Sequence, residues 1–284
     1  MRRFSKSSNP LKTVLRRRKR GAFVILLAWC LTVNAGAQTD SAGFISVVGR
    51  DLSTSWREAG RFFTAPLHFT ESDWLLTGSI IGGTAVLFTA DPSIRTVALR
   101  NQSADGGHVA DAIQHYGEPV YGLGLAGGLY IAGFAAKNSS LRTTGVMIVE
   151  SMAFAGITTT VLKTVAGRSR PYLEEGQYRF RGMQFNTDHT SLPSGHATVA
   201  FSISSVLAER LHNMYASVGL YALAAGVMGA RIYNDEHWFS DTFLGAAIGT
   251  ISGIAVARYH EEDDHAVSVS LLPIGDRIGI SLNF

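Results

Sequence analysis

The chain has 284 residues, of which 46% are hydrophobic and 17% charged, with 30 glycines and a formal net charge of +3. Sparse charge and abundant glycine point to a membrane protein of one or two domains. Nucleic-acid binding is excluded because much of the positive charge lies in the first twenty residues, and a disulfide scaffold is excluded because Cys30 is the one cysteine.

Residues 1–37 read as a secretory signal. Arg16 to Arg20 form the basic region, Ala22 to Val33 the apolar region, and Ala35-Gly36-Ala37 a cleavage site; the alternative is an uncleaved anchor. Residues 38–72 form an amphipathic N-terminal segment. Phe44, Val48, Leu52, Trp56, Ala59 and Phe63 recur at helical spacing, with Arg50, Arg57 and Arg61 off the stripe. Such a helix either lies on a membrane surface or packs on the rest of the fold.

Six apolar segments follow within residues 73–260, at about 74–90, 118–136, 143–165, 197–209, 214–231 and 240–258. They predict an all-α, six-helix membrane bundle, although several fall short of the ~20 residues that a straight crossing needs. The fourth is the shortest, so a slanted or half-buried helix is expected there. Connections 137–142 and 210–213 are short; 91–117 and 166–195 are long. Tracing the crossings puts the long connections at one end of the bundle. In the tail, 261–284, the run Glu261 to Asp264 reads as a solvated acidic linker. Alternation over Val267, Val269, Leu271 and again over Ile278, Ile280, Leu282 reads as a small C-terminal β-hairpin.

The chemistry-bearing residues cluster at the long-connection end. Pro193-Ser194-Gly195-His196 opens the fourth apolar segment, where free backbone N–H groups and the helix dipole favour an anion. Upstream, Lys163 and Arg170 flank the end of the third segment, and Pro171 stops it. Downstream, Arg231 closes the fifth segment, Asp241 opens the sixth, and His237 lies between them. Guanidinium forks beside a helix N-terminus suit phosphate oxygens. Arg168 reads equally as a solvated side chain or a substrate contact. His108, His115 and His189 read as structural, and the histidine spacing does not fit a zinc site.

Taken together, Lys163 with Arg170-Pro171, then Pro193-Ser194-Gly195-His196, then Arg231 with His237 and Asp241 resemble the three ordered motifs of the type 2 phosphatidic acid phosphatase superfamily. That superfamily also contains the bacterial class A acid phosphatases and the vanadium haloperoxidases. The resemblance covers roughly residues 73–260. It departs at Ala230, where the third motif usually has serine. The resemblance implies a metal-independent, cofactor-free phosphatase acting on a lipid phosphate or diphosphate. His237 would be the nucleophile that carries a phosphohistidine, Asp241 its orienting carboxylate, and His196 the acid and base. Lys163, Arg170, Ser194, Gly195 and Arg231 would hold the phosphoryl group. The alternatives within the superfamily are a secreted soluble acid phosphatase and a vanadate-dependent haloperoxidase. The expected partners are the lipid substrate and the bilayer, in a bacterial-type cell envelope. Basic Lys137, Arg142 and Arg210 in the short connections favour a site facing the periplasm under the positive-inside rule. A cleaved signal followed by a crossing at 74–90 would favour the opposite. Entry of 74–90 without a full crossing reconciles the two. Glu174, Glu175, Arg179 and Arg181, in the loop between the first two motifs, are candidates for reading the head group.

Overall fold

The structure, a computed structural model, describes residues 43–265, 268–274 and 277–283. The expected signal segment, 1–37, lies outside the described residues. Nine helices are described: α1 (Phe44–Thr64), α2 (Glu71–Leu87), α3 (Asp91–Arg100), α4 (Ala104–Gln114), α5 (Pro119–Ala135), α6 (Ser139–Ala166), α7 (Gly195–Leu211), α8 (Met214–Tyr233) and α9 (Phe239–His265). Strands β1 (Ser268–Ile274) and β2 (Arg277–Asn283) pair antiparallel, with Ser268 opposite Asn283. The acidic run expected as a linker instead continues α9 to His265.

Local chemistry sets the helix ends. Thr70 and Asp73 form a capping box at the start of α2, and Asn138 and Asn213 cap α6 and α8 by accepting N–H bonds from Leu141 and Ala216. Pro92 and Pro119 sit in first turns, where a missing N–H costs nothing. α6 ends at Gly167, whose φ is +59°; a Cβ there would lie 1.9 Å from the Gly182 carbonyl oxygen, so only glycine fits.

Among the described residues, three helices, α6, α8 and α9, are long and apolar enough to cross a membrane. The α2–α3 pair passes the same criterion as one span bent by 57°. The segment expected at 74–90 is α2, ending at Leu87, and the connection expected over 91–117 is largely the helices α3 and α4.

A correction concerns α7. It is not half-buried but the centre of the bundle, with Val199, Ile203, Val206 and Leu207 buried among Leu125, Leu129, Met147, Ile148 and Val256. Because protein encloses it, its serines are satisfied internally: Ser202 bonds to Thr198 O, Ser204 to Leu220 O and Ser205 to Tyr221. Glycines in α9 permit the close approach. A Cβ on Gly249 would sit 2.3 Å from the Thr198 carbonyl oxygen, and one on Gly245 2.4 Å from that of Ser194.

α1 packs on the bundle, with part of the predicted stripe: Ala59 lies against the core, Phe44 meets Phe134 at 5.0 Å and Phe63 meets Phe154 at 5.8 Å. Phe62 stacks on Phe154 at 5.1 Å, Asp51 accepts the Tyr130 hydroxyl at 2.8 Å, and Val47 and Glu58 are buried. Leu52 and Trp56 of the stripe face outward, 65% and 83% exposed.

Candidate active site

Helices α6 to α9 run alternately up and down. The C-termini of α6 and α8 and the N-termini of α7 and α9 therefore meet at one end. Backbone bonds lock them there. The Ser194 N–H donates to Asp241 O at 2.9 Å, and the Ser191 N–H donates to Arg168 O at 2.9 Å. The N–H groups of Glu236 and His237 both turn back to Arg231 O.

The sequence-predicted residues converge on this end. Lys163 donates to Thr190 O at 2.7 Å, and its Cε would lie 3.8 Å from a Cβ on Gly195, so it runs beside the start of α7. Arg170 donates to Thr187 O at 2.9 Å and pairs with Glu236. Arg231 reaches the same Glu236 carboxylate at 3.3 Å and donates to Gln114 at 2.7 Å. The charges of Arg231, Arg170 and Lys163 all act on the half-buried His196. Two buried atoms in this group, Ser194 Oγ and Arg231 Nε, have no hydrogen-bond partner in the protein. Buried polar atoms of native proteins are nearly always paired, so two such atoms beside three cations suit a bound oxyanion.

His237 is buried. Its Nδ1 lies 3.6 Å from Asp241 Oδ2, too far for a hydrogen bond. The Ser191 hydroxyl sits between them, donating to Asp241 Oδ2 at 2.5 Å and lying 3.4 Å from His237 Nδ1. The expected direct carboxylate–imidazole contact is thus a serine-bridged one. Burial drives the His237 imidazolium well below its ordinary value, the Lys163 and Arg170 charges add to that, and Asp241 opposes it; the ring is neutral at pH 7. Asp241 accepts the Trp238 N–H at 2.9 Å, which also caps the first turn of α9.

Arg168 is neither solvated nor a substrate contact. It is wholly buried and bonded to Asp91 and Asp241. Arg95 of α3 holds the motif loop before His237 through paired 2.7 Å bonds to Asp235. Asp91, Arg95, Gln114, Ser191 and Glu236 were not singled out by the sequence. Only Ser191, in the stretch that leads into Pro193, and Glu236, next to His237, carried a positional hint. His115 bonds Glu118 and His189 contacts Ser169, while His108 is exposed. In the loop, Glu175 bonds Ser169 and Arg181, both at 2.7 Å or less, and these partners hold its carboxyl below the usual range. Among the described residues, no group of three or more His, Cys, Asp or Glu is placed to hold a metal ion.

Residues 144–264, which contain all three motifs, match the PAP2 superfamily. A lipid A 1-phosphatase of Porphyromonas gingivalis is 32% identical over 130 residues, covering 44% of this chain and 26% of that protein; the chain thus spans about a quarter of the relative's length. A transmembrane PAP2-type phosphatidylglycerolphosphate phosphatase from Bacillus subtilis superposes with a TM-score of 0.53 at 20% identity, over 66% of this chain and 97% of that one. That likeness shows a shared helical fold. LpxE of Aquifex aeolicus aligns with a TM-score of 0.48 at 20% identity, over 60% of this chain and 96% of that one.

Proposed function

We propose that this chain is a membrane-embedded phosphatase that removes phosphate from a lipid phosphate or diphosphate through a phosphohistidine. The observation that carries the reading is the meeting of Lys163, Arg170, Arg231 and His196 around the unpartnered Ser194 Oγ and Arg231 Nε. The phosphoryl oxygens would take those donors, together with the Gly195 N–H at the start of α7. The neutral ring of His237 attacks phosphorus, and the P–O bond to the lipid breaks. His196 gives its proton to the leaving oxygen. His196 then takes a proton from water, which displaces phosphate from His237. Asp241 and Ser191 hold the ring and stabilise its positive charge as the bond forms.

Exposed apolar side chains such as Leu75, Ile81, Val120, Ile131 and Val161 support a lipid surrounding and lateral entry of the acyl or prenyl chain. Arg142 and Arg210 lie at the opposite end of the bundle, and their positive charge supports a periplasmic site. The test is phosphate release by purified protein from phosphatidate, phosphatidylglycerophosphate, a polyprenyl diphosphate and lipid A 1-phosphate, with and without EDTA. Activity on at least one of these that survives EDTA and is lost in His237→Ala is the expected outcome. Undiminished release by His237→Ala would overturn the mechanism.

A further inference from the structure

The residues assigned above to phosphoryl transfer all lie between 163 and 241. A second constellation sits directly behind Asp241, and half of its anionic charge comes from outside the PAP2 segment. Asp91, at the first turn of α3 just after the 57° bend, is 1% exposed. Its Oδ1 accepts the Ser240 N–H at 2.9 Å, and its Oδ2 accepts the Ser240 hydroxyl at 2.6 Å. Arg168 fills the space between the two carboxylates. Its Nη1 donates to Asp241 Oδ1 at 2.6 Å and to Ser240 Oγ at 2.7 Å; its Nη2 donates to Asp91 Oδ2 at 2.8 Å and to Gln177 O at 2.7 Å; its Nε donates to Gln177 O at 2.9 Å. All five guanidinium N–H groups are therefore used inside the protein, and the Phe88 ring covers the fork at 4.3 Å. None of these contacts reaches Lys163, Arg170 or Arg231.

We propose that Asp91 and Arg168 are positioning residues for the phosphoryl-transfer step, acting on His237 through Asp241. The inference rests on the function proposed above. Two physical effects combine. Arg168 holds Asp241 Oδ1, so that Oδ2 is left at one place to meet Ser191, the Trp238 N–H and the imidazole. Asp91 supplies the compensating charge. Arg168 with Asp241 alone would be a neutral pair and would offer little to a cation. With Asp91 added, the buried trio carries one net negative charge, directed at the ring that becomes positive as it bonds phosphorus. Gain of that charge belongs to the transition state and the phosphohistidine, not to the bound substrate. The trio therefore governs turnover rather than binding.

The experiment compares full-length wild type with Arg168→Gln, Arg168→Lys and Asp91→Asn in detergent, on whichever lipid phosphate the wild type hydrolyses. It reads kcat, KM, the inhibition constant of inorganic phosphate, and the melting temperature. For Arg168→Gln a fall in kcat of about 10- to 100-fold is expected, the range for partners one shell behind a reactive group. KM and the phosphate inhibition constant stay within about twofold, because the cations that hold phosphate are untouched. Arg168→Lys recovers part of the loss, since an ammonium restores the charge but not the five-bonded fork. Asp91→Asn keeps its shape and loses kcat alone by a smaller factor. If Arg168→Gln does not fold, Arg168→Lys and Asp91→Asn carry the test. Folded variants whose kcat equals that of wild type overturn this proposal and leave the phosphatase reading standing. So does a loss that appears equally in kcat and in phosphate binding. Wild-type protein that releases no phosphate overturns the phosphatase reading itself, and this inference with it.

Discussion

Arg168 and Arg170 are two residues apart in one short stretch, yet they occupy opposite environments. Arg168 has no exposed side-chain surface, and carboxylates, a hydroxyl and a carbonyl consume every donor. Arg170 keeps 15% of its side chain exposed and shares the Glu236 carboxylate with Arg231. Glu236 is itself 35% exposed and hangs from a loop. The comparison separates two uses of a cation. A guanidinium with all five donors bonded is a fixed part of the frame. A part-exposed pair that shares one part-exposed carboxylate has the character of the proposed cradle, which an oxyanion would enter by displacing that carboxylate.

The largest effect expected from breaking this arrangement falls on the group both regions serve. His237→Ala lowers kcat on the lipid phosphate by about 1000-fold or more, as for other covalent nucleophiles, measured by single-turnover phosphate release. Next comes the cradle: Arg170→Ala or Arg231→Ala costs about 100-fold in kcat/KM, the scale of one lost transition-state donor, and weakens inorganic phosphate as an inhibitor. An equal effect of these variants and the Arg168 variants on phosphate binding would erase the distinction between cradle and frame.

Gly249→Val tests the packing that brings α7 and α9 together. Overpacking against the Thr198 carbonyl costs about 1–3 kcal/mol, read as a lower melting temperature in detergent. Glu236→Gln sharpens the contrast from the other side. Removing the internal competitor for Arg170 and Arg231 tightens phosphate inhibition by up to about fivefold, the range of a part-exposed ion pair. The smallest effect is on pH dependence. The His237 value is lowered, so protonation of the ring sets in only below its ordinary value near 6.5. The acid limb of kcat/KM that belongs to His237 therefore lies below pH 6.5 and shows as unchanged nucleophile reactivity from pH 8 down to that point. An acid limb centred above 6.5 that disappears with His237 would contradict the buried, neutral ring.

Much of the candidate site was legible in the chain. Lys163, Arg170, Ser194, Gly195, His196, Arg231, His237 and Asp241 sit next to helix-boundary signals, and alternation of apolar segments sends those boundaries to one end. The frame behind them was not legible. Asp91 reads as an ordinary first-turn acid beside Pro92, and Arg168 as one of several basic residues in a loop. Their bond joins positions 77 residues apart, and that between Asp91 and Ser240 joins positions 149 apart. No local pattern encodes such a separation. The stripe of α1 was open for a related reason: periodicity locates an apolar face but does not say what covers each residue, and Ala59 packs on the core while Leu52 and Trp56 turn outward.

By itself, the sequence determined the six apolar helices, their order and the end of the bundle at which the charged motifs collect. Those follow from short-range preferences, namely caps, prolines and apolar runs, that each segment carries wherever it lies. Tertiary structure alone decided which arginine became frame and which cradle, that Ser191 stands between His237 and Asp241, and that α3 closes the site from behind. A buried charge is tolerated only where several distant groups arrive together to bond it, and that meeting exists only once the helices have packed.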